Sequence, residues 1–202
     1  MPISADGPWG RRYTGPMTER ADMRPQRLLL HACCGPCLLE PLDALAAEAD
    51  HVTIAYANPN IHPAEEYERR RDTLLAYAAD TGVEVVELAY DTEAWDREVA
   101  PLAEDQPARC RACYRLRLGM AARYAVEHGF DALATTLTVS PYQDHEGIAD
   151  AGREVAHDAC IAWLDRDFRE RYSQATQRSR ELGMYRQNYC GCRFSKVEAV
   201  AQ

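Results

Sequence analysis

The chain alternates short apolar runs with amphipathic stretches. Leu28-Leu29-Leu30-His31-Ala32 is an unbroken apolar run that stops at Cys33-Cys34-Gly35-Pro36-Cys37, the pattern of a strand buried on both faces that ends in a turn. A helix from about Cys37 to Glu48 follows, then a strand over Val52–Tyr56 and the loop Asn58-Pro59-Asn60-Ile61-His62-Pro63. Ala64 to Thr81 carries Tyr67, Leu74, Leu75 and Ala78 at helical spacing, with Glu65, Arg69, Arg70 and Asp72 on the opposite face and Gly82 where a C-terminal cap belongs. Val83–Leu88 predicts a third strand, leading to Tyr90-Asp91 and a short helix around Trp95. Cys110 to Gly129 predicts a helix, Ala132–Leu137 a strand, and Ser140-Pro141-Tyr142-Gln143 a capping box with proline at the first helical position. Strands separated by single helices predict an α/β fold, Rossmann-like, with one parallel sheet and helices on both faces. The loops after the strands then meet at one sheet edge, where such folds bind ligands.

Composition sets the bounds. With 202 residues and a 47% apolar fraction the chain can bury one core. It has no apolar run of membrane-crossing length, so a soluble, cytoplasmic protein without a membrane partner is expected. Residues 1–24, rich in Gly, Pro and polar groups, predict a flexible extension ahead of a single domain over 25–202. Arg11-Arg12 lacks the apolar segment that an export signal requires. The net charge is −9, yet Arg109–Arg123 holds five arginines and no acid, and the C-terminal stretch Arg166–Lys196 holds eight basic residues against three acidic. A polyanion such as RNA would be drawn to these basic segments. A negatively charged thiolate centre would attract the same arginines, and a solvated basic face is the plain alternative.

Both basic segments carry cysteines, of which the chain has eight. In a chain that is not secreted this points to metal, cluster or redox use. Cys33, Cys34 and Cys37 lie at a helix start, whose positive dipole end favours thiolate. Cys110-Arg111-Ala112-Cys113 is expected in the first turn of a second helix. Together Cys33, Cys34, Cys110 and Cys113 supply the four thiolates that a tetrahedral zinc or a four-iron cluster requires. Adjacent cysteines point different ways, which suits several irons better than one zinc. Cys190-Gly191-Cys192 can close only a small, strained disulfide, the labile kind, or it adds two further ligands. Cys160 is expected in the core, and His31 is either a hydrogen-bonded core histidine or part of the site. Cys34-Gly35-Pro36-Cys37 also spells a thioredoxin-type exchange motif, and a zinc-stabilised RNA-binding module is a third reading.

The run into Cys33-Cys34-x-Pro36-Cys37, the Asn58–Pro63 loop with Glu66-Tyr67, Arg109-Cys110-x-x-Cys113 with Arg117-Leu118, Thr135-Thr136-Leu137-Thr138, and Tyr185-Arg186-Gln187-Asn188-Tyr189-Cys190-Gly191-Cys192 together resemble the QueH family of epoxyqueuosine reductases. The resemblance spans about Arg27 to Ser195. It implies removal of the epoxide oxygen from epoxyqueuosine at the wobble position of tRNA, the last step of queuosine biosynthesis. It also implies a 4Fe-4S cluster held by Cys33, Cys34, Cys110 and Cys113, a catalytic redox pair Cys190 and Cys192, and an external electron donor. An additional iron beside the cluster, with Cys37 as a candidate ligand, falls within the same resemblance. Asp91 or His62 is the candidate proton donor, and Arg115, Arg117, Arg178, Arg180 and Arg186 are the expected phosphate contacts.

Overall fold

The computed structural model describes residues 24–200. The extension expected over 1–24 lies outside them except for Arg24, whose guanidinium donates to Asp50 at 2.7 Å and to the carbonyls of Ala47 and Ala49. Five strands form one parallel sheet: β1 (Arg27–Ala32), β2 (His51–Tyr56), β3 (Val85–Glu87), β4 (Ala132–Thr135) and β5 (Ala162–Trp163), in the order β3-β2-β1-β4-β5. β1 is central, with Leu28 registered against Val52 on one side and Ala132 on the other. A parallel strand is covered on both faces, which is why its sequence is a run rather than an alternation. Leu28, Leu30 and Ala32 face the core formed with α1 (Gly35–Glu48), α2 (Ala64–Thr81) and Ala175 of α6 (Tyr172–Glu181). Leu29 and Leu133 face the core formed with α4 (Gln106–Glu127) and α5 (His145–Asp158). The short helices α3 (Thr92–Glu98) and α7 (Arg193–Val200) complete the described α-helices. Among the described residues no helix is long and apolar enough to cross a membrane.

Several boundaries depart from the sequence expectation. Gly82 takes φ 71° as the cap of α2, and the Val83 amide donates to Ala78, so this Schellman turn consumes the start of the expected third strand. α4 begins at Gln106, capped by Asp105, which accepts from the Ala108 amide at 3.0 Å. Cys110 and Cys113 therefore sit beyond the first turn in which they were expected. α5 begins at His145, with Asp144 accepting from the Gly147 amide; Ser140 accepts from the Tyr142 amide through Oγ and from the Gln143 amide through its carbonyl, in a turn that follows a 3-10 segment over Leu137–Val139. β5 was not foreseen, being two residues long. Cys160 is no core residue: it is exposed, with φ 55°, at the left-handed turn where α5 ends.

Candidate metal centre

β1 ends at Ala32, so Cys33 leaves the sheet at its carboxyl edge and Cys34 becomes the N-cap residue of α1. The sulfurs of Cys33, Cys34 and Cys37 lie within 4.8 Å of one another, a group able to hold a metal ion. Pro41, inside α1, has no N–H to give the Cys37 carbonyl. The three thiols share their charge unequally. Cys33 is held well below the ordinary thiol range by hydrogen bonds from Cys34 and Cys37, whereas burial, reinforced by Cys33, pushes Cys34 up to about 12. Cys37 is raised by its contacts with Cys33 and Cys34. Gln187 Nε2 donates to Cys34 Sγ at 2.9 Å.

The second pair faces this group from α4. Cys113 is buried and accepts from Trp95 Nε1 at 3.4 Å, in an apolar cluster that also contains Val99 and Cys192. Burial raises Cys113 to about 12 and Cys110 to about 11, and both lie within electrostatic reach of Cys190 and Cys192. Cys110 and Cys113 do not join the compact group of Cys33, Cys34 and Cys37. Arg117, one helical turn beyond Cys113, feels the charges of Cys113, Cys33 and Cys190 together. One cysteine from each group thus lies within electrostatic reach of the same buried guanidinium.

The Tyr185–Cys192 segment is clamped over this edge mainly by backbone contacts. Buried Arg70 donates to Glu66 at 2.7 Å and to the carbonyls of Cys190 and Tyr189, while Tyr185 donates to the same Glu66. The His62 amide donates to the Gly191 carbonyl at 2.8 Å, and the Tyr189 hydroxyl returns a bond to the His62 carbonyl. Gly191 has φ 127°, and a Cβ there would come within 3.0 Å of Arg70 Nη1 and Ile61 Cγ1, so glycine is required. All eight cysteines are thiols in this structure. Cys192 Sγ accepts from the Ser195 amide at 3.3 Å at the start of α7.

His31 is a buried, neutral histidine. Its Nε2 donates to the Ala57 carbonyl, so Nδ1 accepts from the Thr135 hydroxyl at 2.8 Å; burial, then Arg117, lowers its pKa to about 3. His62 Nδ1 donates to the Asn60 carbonyl and its ring packs on Trp95 at 5.3 Å. Asp91 is exposed and spends Oδ1 capping α3.

Two arginines stand elsewhere than the sequence placed them. Arg70, expected on the solvent face of α2, is buried. Arg117, expected to meet phosphate, is 1% exposed and donates to Asn58 Oδ1. Of the other expected phosphate contacts, Arg115 pairs with Glu154 and Arg178 with Asp43, both on the surface. Sequence reasoning missed Gln187, Gln143, Trp95 and Arg70 as neighbours of the cysteines. Only Arg70 left a signal, at i+4 from Glu66 and i+3 from Tyr67 on the buried stripe.

Residues 28–198 match the family profile described as Epoxyqueuosine reductase QueH. The chain is similar to Epoxyqueuosine reductase QueH of Streptococcus pyogenes, 36% identical over 193 residues covering 90% of this chain and 75% of that protein. It is likewise similar to the proteins of that name from Dehalococcoides mccartyi, 32% identical with 85% and 93% covered, and Thermotoga maritima, 33% identical with 85% and 91% covered.

Proposed function

From the premise that this chain belongs to the QueH family and is an epoxyqueuosine reductase, an oxidoreductase, we propose that it deoxygenates epoxyqueuosine in tRNA through a thiolate-held 4Fe-4S cluster and the Cys190–Cys192 pair. The observation that carries this reading is the gathering of three cysteine groups around one sheet edge. The surroundings suit an anionic iron–sulfur group: soft thiol donors, an apolar lining, and a buried Arg117 Nε–H that has no partner among the described residues. Cys33, Cys34, Cys110 and Cys113 are the proposed ligands, which leaves Cys37 beside them for an additional iron.

Turning an epoxide into an alkene consumes two electrons and two protons, and the oxygen departs as water. When bound, the cluster supplies electrons one at a time. Cys190 and Cys192 can hold a pair of electrons as a dithiol and release them on forming a disulfide, to be reset by an external donor. The Arg70–Glu66 clamp holds the Cys190 carbonyl, and with it the pair's backbone, over the edge. His62 is the better placed proton donor: Nδ1–H is committed to the Asn60 carbonyl, so the imidazolium form delivers its second proton from Nε2, and the His62 amide holds Gly191. Asp91 is occupied as a cap. An exchange protein would need an exposed, low-pKa attacking thiol at Cys34, whereas Cys34 is buried and raised.

The test is iron and sulfide analysis of anaerobically purified protein beside turnover of tRNA carrying epoxyqueuosine. Ser replacement of Cys33, Cys34, Cys110 or Cys113 is expected to abolish cluster retention. Ser replacement of Cys190 or Cys192 is expected to leave iron and sulfide at the wild-type level while blocking turnover. Full iron in Cys110→Ser, or loss of iron in Cys190→Ser, would require the two groups to be reassigned.

A further inference from the structure

Three arginine side chains are buried among the described residues, Arg70, Arg109 and Arg117. Arg70 has Glu66 and Arg109 has Glu198 as a carboxylate partner, each at 2.7 Å. Among the described residues no carboxylate forms an ion pair with Arg117, although it is as deeply buried as Arg70. A buried cation without a counter-charge is costly enough that folds rarely keep one. Its orientation is nevertheless fixed: Nη2 donates to Asn58 Oδ1, and Asn58 Nδ2 donates to the Ala32 carbonyl at 2.9 Å, one residue before Cys33. Nε is buried and has no partner. The missing counter-charge is therefore to be sought at the thiols, with Cys33 following the residue that Asn58 grips and Cys113 one turn earlier on the same helix.

We propose that Arg117, oriented by Asn58, is the built-in counter-cation of the thiolate-held metal centre and sets the potential at which that centre accepts an electron. The inference rests on the cluster reading above. A cluster with four thiolate ligands is negative, and its negative charge grows by one on reduction. A fixed cation in a low-dielectric site therefore favours the reduced form and raises the potential. Arg117 is a positioning residue in this role: it acts on the substrate only through the centre.

The experiment is a spectroelectrochemical titration of the anaerobically reconstituted full chain, with iron and sulfide analysis of every sample. Arg117→Met removes the charge, Arg117→Lys keeps it, and Asn58→Asp, nearly isosteric, sets a carboxylate against the guanidinium and cancels part of its field. The expected result is a potential shifted to more negative values in Arg117→Met and Asn58→Asp, with Arg117→Lys closer to wild type. Asn58→Asp leaves Arg117 in place and decides the matter if Arg117→Met does not fold; because it gives up the bond to the Ala32 carbonyl, its potential is read against the iron and sulfide content of the same sample. A cluster of normal iron content and unmoved potential in Asn58→Asp would overturn the inference alone. Wild-type protein without iron and sulfide would overturn the cluster reading, and this inference with it.

Discussion

Histidine 31 shows how much one side chain can report. Its imidazole is neutral in the fold because burial and Arg117 lower its pKa from 6.5 to about 3, while in the unfolded chain it returns to the ordinary value. Between those values the unfolded state binds the extra proton, so its stabilising contribution is complete above pH 6.5 and is lost as pH falls toward 3. For the metal-free protein, urea unfolding is expected to show stability falling by about 1.4 kcal/mol per pH unit below pH 6.5 from this residue, a slope reduced in His31→Gln. The grouping of Cys33, Cys34 and Cys37 was legible because cysteines clustered at a strand end have few other uses. Arg117 was misjudged as a phosphate contact through its charge. Its position, i+3 from Tyr114 and adjacent to Leu118 on the buried stripe of α4, argued for the interior.

At the scale of elements, β1, β2, β4, α1 and α2 were legible, since long periodic patterns and a glycine cap leave little choice. Helix starts were less so, because the deciding residues were Asp105 and Asp144, isolated caps that a search for Ser or Thr capping boxes passes over. β5 escaped because two residues carry no period. It is held by its pairing with β4, the Leu164 amide donating to the Leu133 carbonyl at 2.9 Å, and by packing: Trp163 lies against Gly152 of α5, where an added Cβ would run into the indole. Gly152→Ala must then push the indole or the helix aside. The expected cost is about 1–3 kcal/mol of overpacking strain, seen as a lower urea midpoint without loss of bound iron.

For the whole molecule, the strand order β3-β2-β1-β4-β5 explains why the site is where it is. The chain winds outward from β1 to β3, then returns across the sheet to β4, so the strand order reverses between β1 and β4, the point at which such sheets bind ligands. Cys33 leaves one side and Thr136 the other, with the Cys33 amide donating to Thr136 Oγ1 at 3.4 Å. A parallel sheet was readable from alternation. Its strand order was not, because order is decided by long-range pairing. The proposed RNA partner is also a matter for the whole surface. Arg180 and Arg186 are exposed, so Arg180→Gln with Arg186→Gln is expected to weaken tRNA binding and to lower its salt slope by roughly one unit for each phosphate left unneutralised. Affinity measured against salt checks this, and an unchanged slope would move the docking face elsewhere.

The clamp of Arg70 and Glu66 on the Tyr185–Cys192 segment has a consequence in time. Gln187, which caps the Cys34 sulfur, is 153 positions further along the chain. On a translating ribosome the first thiols therefore emerge on the order of ten seconds before the segment that covers them. The order of synthesis leaves an interval in which the nascent thiols stand uncovered. Once Glu66 and Arg70 capture the arriving backbone, Gln187 comes to rest on Cys34 and the first thiols are covered.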